Sequence, residues 1–298
     1  MPRTLFGFLL AAFTVITWGV TYVASRYLFK DFSPLEVQLL RFIIAYVALW
    51  IIYPKNYPVK KGDNIFFFLL GLTGAALYQF TENCAILYTN ASNVAVIVAL
   101  CPIVTALLAN LLLKKKLYKT FFLGCAIALL GIALVSFHGI KNLRFHPLGD
   151  LLAFLGTFFW GFYSIVLDKV NEKGYPQIFQ IRRAFFWTII LTLPLLLFSK
   201  TGWLQGSFAI SYDIVRFQDY KNLLALLFLG LIASAACFVT WNKACEIIGT
   251  VRCTAGIYLC PVITIICASL LLKEAISYQN LLGSGLVLLG VFLATRKK

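Results

Sequence analysis

The sequence predicts an all-α integral membrane protein whose ten transmembrane helices form two inverted-topology five-helix repeats. Three observations support this fold class. Of the 298 residues, 61% are hydrophobic and only 12% are charged, whereas soluble domains have about 25% charged residues. The chain divides into ten apolar segments, and motifs of its first half recur in its second half. This composition excludes a soluble globular domain and a disordered chain.

The ten apolar segments have the length of membrane-spanning helices. A helix needs about 20 mostly apolar residues to cross a hydrocarbon core of about 30 Å. The segments run from Leu5 to Ala24, Pro34 to Tyr53, Ile65 to Tyr88, Ser92 to Leu113, Thr120 to Phe137, Leu148 to Leu167, Pro176 to Phe198, Leu223 to Cys245, Arg252 to Leu272 and Ala275 to Thr295. The third and fourth segments are separated only by a short polar turn, so we expect them to form a hairpin. The segments lack the period-2 alternation of an outer-membrane barrel.

The positive charge is distributed as a topology signal. The net charge is +15, but the basic residues fall in short gaps between apolar segments and not in one patch, so no nucleic acid partner is expected. With the N-terminus inside, the cytoplasmic segments hold 15 Lys and Arg and the opposite side holds 8. The positive-inside rule then predicts a multi-pass protein of the cell inner (cytoplasmic) membrane, with both termini cytoplasmic.

The two halves of the chain share motifs at constant displacements. The recurring residues are Trp18, Gly19, Pro34 and Arg41 at a displacement of 142, and Cys101, Pro102, Lys114, Gly124 and Gly131 at a displacement of 159. The additional 17 residues lie between the seventh and eighth segments. We therefore divide the chain into a first repeat, residues 1–140 with helices 1 to 5, and a second repeat, residues 141–298 with helices 6 to 10.

An odd number of helices in each repeat has a consequence for topology. The second repeat must enter the membrane from the side opposite to the first, which makes the two halves inverted repeats. This is the architecture of many secondary transporters, because two similar halves can exchange inward-open and outward-open conformations. Duplication can also simply build a larger bundle, so a structural role remains the alternative.

The recurring motifs resemble those of a known family. Trp-Gly in the first helix of each half, a proline followed by Arg41 or Arg183 in the second, Cys-Pro in the fourth and a G-x6-G helix at the end are similar to the EamA-domain family of the drug/metabolite transporter superfamily. The resemblance covers essentially the whole chain as two tandem units. It implies ten-helix carriers of small metabolites, many of them amino acid or drug exporters and others nucleotide or cofactor carriers. Where the family often has Glu after the fourth helix of a unit, the second half has Glu274 and the first has Lys115.

Glu82 stands out among the ionisable residues inside predicted spans, because its counterpart in the second repeat is Trp241. It follows Tyr78 by four residues and Gln79 by three, spacings that put side chains on one helical face. Charged groups within a span are functional candidates. We therefore predict that Glu82 is the coupling residue or binds a substrate ammonium group, so that substrate and proton compete for it. The alternative is a structural pairing with an arginine.

The predicted substrate site combines this polar face with aromatic residues. Small-molecule sites are usually lined by aromatic side chains with a few polar groups, and carriers of this architecture bind substrate near the midplane between repeats. The predicted substrate-binding residues are Trp18, Tyr22, Tyr78, Gln79, Glu82, Trp160, Tyr163, Trp241, Asn242 and Tyr258. The alternative for the tryptophans is an interfacial belt or core packing.

Two further pairs are predicted to have structural or gating roles. Arg41 and Arg183 are equivalent in the two repeats, which favours a structural function, with carboxylate binding as the alternative. Pro102 and Pro261 lie within the fourth and ninth segments, where proline usually kinks a helix, and are predicted to act as hinges or passive bends.

The sequence favours transport over other functions. It has no D-x-x-D, H-E-x-x-H, G-x-S-x-G or Walker A motif, so neither an enzyme nor an ATP-driven pump is expected. We predict a secondary active transporter that exports an amino acid or related compound, acting as a monomer with no cofactor or metal. The alternatives are a carrier of a nucleotide-like molecule or cofactor, such as S-adenosylmethionine, and a non-transporting scaffold or integral-membrane enzyme.

Overall fold

The computed structural model describes residues 2–114, 117, 119–136, 146–198, 213–274 and 277–295, and within these ranges all regular structure is helical. The described residues form ten long helical segments and, before the eighth, a short 3₁₀ helix, Val215–Phe217. The long segments are α1 (Arg3–Leu28), α2 (Pro34–Ile52), α3 (Asn64–Tyr88), α4 (Ala91–Leu113), α5 (Lys119–Ser136), α6 (Pro147–Asn171), α7 (Gln177–Phe198), α8 (Tyr220–Ile248), α9 (Thr250–Gly256 followed by Ile257–Leu259 and Cys260–Leu272) and α10 (Tyr278–Thr295).

The expected all-α membrane fold class is confirmed. In the described part of the chain, seven helices are long and apolar enough to cross a membrane, and three apolar helices in α5, α9 and α10 are shorter. The count of ten spans and the inverted relation of the halves stay predictions. The predicted repeat boundary at residue 140, Lys115 and both terminal residues lie outside the described residues.

Several local features of the backbone repeat between the halves. A π-helical stretch, Gly71–Leu77, interrupts α3, and Phe228–Ala236 interrupts α8 at the equivalent position. Helices α4 and α9 both end at a lysine in the left-handed region, Lys114 with φ 53° and Lys273 with φ 56°. Non-glycine residues rarely adopt this conformation. Its recurrence at a displacement of 159 therefore supports the duplication at the level of the backbone.

Pro102 and Pro261 mark breaks within their helices. The α-helix of α4 stops after Val98 and resumes at Cys101, and α9 passes through a 3₁₀ turn, Ile257–Leu259, before Cys260. Proline lacks the N–H that an uninterrupted helix needs and its ring excludes the preceding turn. The regular α-helix is thus interrupted just before both prolines. Their use as hinges stays a prediction.

Each half is packed into the other. Helix α1 of the first half packs against α8 and α9, and α6 of the second half packs against α3 and α4. Gly19 permits the approach to α9, because a Cβ there would lie 2.7 Å from Ile263. Gly161 has the same function towards α4, where a Cβ would lie 2.7 Å from Leu108. The first helix of each half is therefore packed into the opposite half.

The last helices of the two halves pack against each other at the periphery. A Cβ on Gly124 would lie 2.3 Å from the carbonyl oxygen of Gly290, and one on Gly131 would lie 2.6 Å from that of Gly283. The contacts run in opposite chain directions, so α5 and α10 are antiparallel. Small residues let helix backbones approach this closely in membranes.

Candidate functional site

Three indole rings meet where the halves interlock. The ring centroids of Trp18 on α1 and Trp160 on α6 are 5.2 Å apart with their planes almost perpendicular, and Trp241 on α8 lies 5.1 Å from Trp18. Tyr78 and Phe238 complete the cluster, with centroids 5.0 Å from Trp160 and 5.7 Å from Trp18. Edge-to-face and tilted geometries of this kind are the favoured arrangements for aromatic pairs.

The aromatic cluster forms one wall of an internal cavity. The cavity is lined by Trp18, Thr21, Tyr22, Arg41, Tyr78, Gln79, Glu82, Val98, Cys101, Trp160, Phe238, Ile257 and Cys260. Its volume is about 30 Å³, enough for one or two water molecules. A metabolite therefore requires the helices to move apart, and this conformation is a closed one.

Buried polar side chains of the same cavity lining form a hydrogen-bonded chain. Tyr78 donates its hydroxyl hydrogen bond to Glu82 Oε2, and Gln79 Nε2 donates to Oε1 over 3.2 Å. Arg41 NH1 donates to Gln79 Oε1, and its Nε donates to Ser234 Oγ over 2.9 Å. Burying charges away from water is unfavourable unless they are hydrogen bonded. The network meets this need and links α2, α3 and α8.

The structure brings most of the predicted site residues together. Trp18, Tyr22, Tyr78, Gln79, Glu82 and Trp160 line the cavity. The other predicted residues on α6 and α8 lie one layer behind it, where Tyr163 stacks against Trp160 at 4.9 Å and donates a 2.7 Å hydrogen bond to Asn242. Tyr258 does not line the cavity but packs in a separate apolar cluster with α4 and α5.

Arg41 and Arg183 occupy different environments although they are equivalent in sequence. Arg41 is 2% exposed and lines the cavity. Arg183 lies outside the cavity lining and donates a 2.6 Å hydrogen bond to Asn64 at the start of α3. The structural or gating role predicted for both arginines stays a prediction. The second half offers no arginine to the cavity among the described residues.

Sequence reasoning did not assign Thr21, Val98, Cys101, Phe238, Ile257 and Cys260 to the site. A signal existed for two of them, because Cys101 and Cys260 are repeat equivalents. Trp18 and Trp160 are equivalents as well. Both members of these two pairs line the cavity, so the recurrence of Cys-Pro and Trp-Gly was the signal that the sequence offered. Among the described residues no three His, Cys, Asp or Glu side chains are grouped as a metal site.

Ion pairs join the two halves away from the cavity. Glu36 at the start of α2 accepts hydrogen bonds from Arg216, 2.7 Å from NH2. Asp63, which immediately precedes α3, forms an ion pair with Lys173, and the Lys173 Nζ atom lies 2.6 Å from Asp63 Oδ1. The Lys173 ammonium holds the pKa of the Asp63 carboxyl below its ordinary value of 3.8, and the hydroxyl of Tyr175 adds to the effect.

The comparisons with known proteins agree over the length of the chain. The EamA-like transporter family matches residues 5–137 and 147–296. An uncharacterized transporter of Archaeoglobus fulgidus is 25% identical over 96% of this chain and 98% of its own. A probable terminal-alkyne amino-acid exporter of Streptantibioticus cattleyicolor is 24% identical over 95% of this chain and 91% of its own.

Two further matches concern function and fold. A probable amino-acid metabolite efflux pump of Salmonella typhimurium is 24% identical over 96% of this chain and 93% of its own. A crystal structure that is 18% identical in sequence superimposes with a TM-score of 0.66, covering 98% of this chain and 96% of the other. The second match concerns the fold alone.

Proposed function

The chain belongs to the EamA-like transporter family, and on that premise we propose that it exports a small polar or amphipathic metabolite across the cytoplasmic membrane by alternating access. The proposed substrate is an amino acid or a related compound. The protein acts as a monomer, because duplication supplies both halves of the carrier in one chain. It is a transporter by family, and we propose that it catalyses no reaction.

One observation carries the proposal: an aromatic cavity with buried charged groups lies where the two halves interlock. The cavity contains both members of three pairs at repeat-equivalent positions: Trp18 with Trp160, Cys101 with Cys260 and Val98 with Ile257. Secondary transporters with internal repeats place their sites at such an interface. Placing two charged groups in an apolar bundle is unfavourable for stability alone, which favours a role in recognition.

The relatives support an amino acid as the substrate. Two of them, each 24% identical to this chain, are named for amino-acid or amino-acid metabolite export. A zwitterion requires a donor for its carboxylate and an acceptor for its ammonium group. Arg41 and Glu82 offer both in one cavity.

The interlocked packing supports alternating access as the mechanism. Helix α1 contacts α8 and α9, whereas α6 contacts α3 and α4. A tilt of one half that separates the helices of one set can therefore bring the helices of the other set together. The cavity is nearly filled in the described conformation, as expected for a state between the two openings. Glu82 then binds either a proton or the substrate, which gives antiport.

A nucleotide-like substrate or cofactor is the second candidate. The indole rings of Trp18 and Trp160, which line the cavity, are able to stack on a base, and aromatic stacking of bases contributes about 1–3 kcal/mol per base. The same rings are able to bind an aromatic amino acid side chain. Transport assays with both classes separate the two candidates.

The test is counterflow in proteoliposomes. Purified protein is reconstituted with an internal pool of one unlabelled metabolite class, and uptake of the tritiated compound is followed for amino acids, nucleosides, nucleotides and S-adenosylmethionine. We expect uptake of amino acids above that of protein-free liposomes. Uptake of only the adenine compounds would favour the second candidate. No uptake of any class would contradict the transport proposal.

A further inference from the structure

Arg41 keeps part of its hydrogen-bonding capacity unused. Its Nε and NH1 atoms donate to Ser234 and Gln79. The described residues provide no hydrogen bond for NH2, although the side chain is almost fully buried and lines the cavity. A guanidinium has five N–H donors in a planar fork. An edge of this fork is therefore left without a protein partner.

Glu82 is held near Arg41 but not in direct contact with it. Its carboxylate accepts from Tyr78 and Gln79, and it is 4% exposed. Among the ion pairs of the described residues none involves Glu82. Two opposite charges thus face one cavity without neutralising each other by direct contact, an unusual arrangement because a direct pair would offset more of the desolvation.

Gln79 lies between the two charges. Because a guanidinium is only a donor, the carboxamide oxygen must face Arg41, and this leaves the carboxamide nitrogen to donate to Glu82 over 3.2 Å. The carboxamide thus presents an acceptor oxygen to the arginine and an N–H donor to the glutamate. An α-amino acid presents the same two groups, with a full charge on each.

From this juxtaposition we propose that Arg41 and Glu82 are paired subsites for a zwitterion, and that the Gln79 carboxamide occupies them in the closed conformation. The substrate carboxylate binds Arg41 and its ammonium group binds Glu82. The proposal rests on the proposed transport function and specifies how that site recognises its substrate. Gln79 moves aside as the substrate enters.

The aromatic wall specifies the remainder of the substrate. The rings of Trp18, Trp160 and Phe238 line the same cavity as the polar chain, so they are available to the substrate side chain when its charged end lies on Arg41 and Glu82. Apolar surface of this kind accepts an aromatic or branched aliphatic group. The ligand class is therefore a zwitterionic amino acid with a large apolar side chain.

The repeat supplies a matched control for Arg41. Arg183 is equivalent in sequence, but it bonds to Asn64 and does not line the cavity. Substitution of either arginine removes one positive charge from the second helix of its repeat. Only the Arg41 change is expected to alter substrate recognition.

Wild-type protein provides the first test, which does not depend on the folding of any variant. The probes are tritiated L-phenylalanine, L-tryptophan and L-leucine, and their uptake into proteoliposomes is measured. The probe with the highest uptake is then competed with unlabelled compounds of matched side chain: amino acids, amines and methyl esters that lack the carboxylate charge, and desamino acids that lack the ammonium group. We expect competitors that lack either charge to be weaker by about ten- to a hundredfold, since each loses a charge-assisted hydrogen bond. Equal competition by the amine or the acid would overturn the proposal.

Variants provide the second test. Arg41→Gln and Arg41→Lys are expected to weaken amino acid binding at least tenfold, because neither presents the planar fork, whereas Arg183→Gln is expected to leave it unchanged. Gln79→Ala is expected to bind the amino acid at least as tightly as wild type, because the competing carboxamide is gone. Wild-type affinity in both Arg41 variants, or a tenfold loss in Gln79→Ala, would overturn the paired-subsite assignment.

The failure of this proposal is distinguishable from failure of the transport proposal. If the liposomes take up nucleosides or nucleotides but neither the three amino acids nor S-adenosylmethionine, which carries the same α-ammonium and α-carboxylate groups, the zwitterion assignment is wrong and transport stands. If no class is taken up, both are wrong.

Discussion

Trp18 and Trp160 are equivalent in the two sequence repeats, and their indole rings meet edge to face with centroids 5.2 Å apart. This contact exists because α1 and α6 each pack into the opposite half. Any movement of one half relative to the other must change the contact. The pair is therefore suited to respond to substrate and to the conformational change together.

We predict that Trp160→Ala and Trp18→Ala weaken substrate uptake at least tenfold. Loss of a buried aromatic ring also lowers stability, by about 3–5 kcal/mol for large-to-small changes, so thermal unfolding is measured in parallel. Trp160→Phe keeps a ring and is expected to restore most of the stability. Trp187→Phe, at a tryptophan that packs on Phe68 away from the cavity, is the control. Unchanged affinity in both alanine variants would assign the rings to packing.

Glu82→Gln is predicted to uncouple transport from the proton gradient. The substitution keeps the shape of the side chain but removes the group that binds either proton or substrate ammonium. Uptake into liposomes with and without an imposed pH gradient measures the response, which we expect to be lost. Glu172→Gln, at an exposed position after α6, is expected to behave as wild type. An unchanged rate, affinity and pH response in Glu82→Gln would show that this acid is structural.

Gly290→Ala is predicted to destabilise the protein by about 1–3 kcal/mol, the usual cost of overpacking. A Cβ at this position would lie 2.4 Å from the backbone nitrogen of Ala128 and 2.5 Å from the carbonyl oxygen of Gly124. Gly285 is on the same helix, but a Cβ there meets no atom within 4 Å. Gly285→Ala is therefore the matched control and should be neutral or stabilising, because alanine favours a helix by about 1 kcal/mol. Equal melting temperatures for the two variants would contradict the close packing of α5 and α10.

Asp63→Asn is predicted to lower stability in a pH-dependent way. Lys173 lowers the pKa of Asp63 in the folded protein, so the interaction stabilises the fold above the ordinary pKa of 3.8 and is lost as the pH falls through the folded value. The melting temperature of the variant should be below that of wild type at pH 7, and the difference should shrink in acid. Lys173→Gln should reproduce the effect. A difference that does not depend on pH would show that the ion pair contributes little.

Reporter fusions near residues 57 and 142 are predicted to lie on opposite sides of the membrane. The expectation follows from the excess of basic residues, 15 against 8, on the side of the N-terminus. A cytoplasmic reporter is expected to be active at the first position and inactive at the second. Activity at both positions would remove the odd helix count on which the inverted repeat depends.

Much of the fold could be predicted because it follows from short-range rules. The apolar length of each segment determines whether a helix can cross a bilayer, and α1, α2 and α6 all extend over most of their predicted spans. The prolines of the recurring Cys-Pro pairs come just after equivalent interruptions of the α-helix in α4 and α9, because proline cannot supply the N–H of a continuous helix. The spacing of Tyr78, Gln79 and Glu82 correctly put them on one face because helical periodicity is local.

The site could be predicted only in part because proximity between helices is not local. Repeat equivalence gave Arg41 and Arg183 the same expected role, but only Arg41 reaches the cavity. Tyr258 was expected in the site from its position near Pro261, and the turn of α9 directs it into another cluster. Its neighbour Ile257 lines the cavity instead. One residue along a helix rotates a side chain by about 100°, and that rotation decides which neighbour it meets.

The sequence alone determined that the chain lies in a membrane, that its two halves are related, and that Glu82 breaks this relation. These properties depend on hydropathy, counting and spacing, which the primary structure contains in full. Tertiary structure decided that α1 and α6 exchange partners between the halves, and that Gln79 stands between Arg41 and Glu82. Such contacts join residues from 38 to more than 200 positions apart, and they are chosen by the packing of whole helices and the need to satisfy every buried charge.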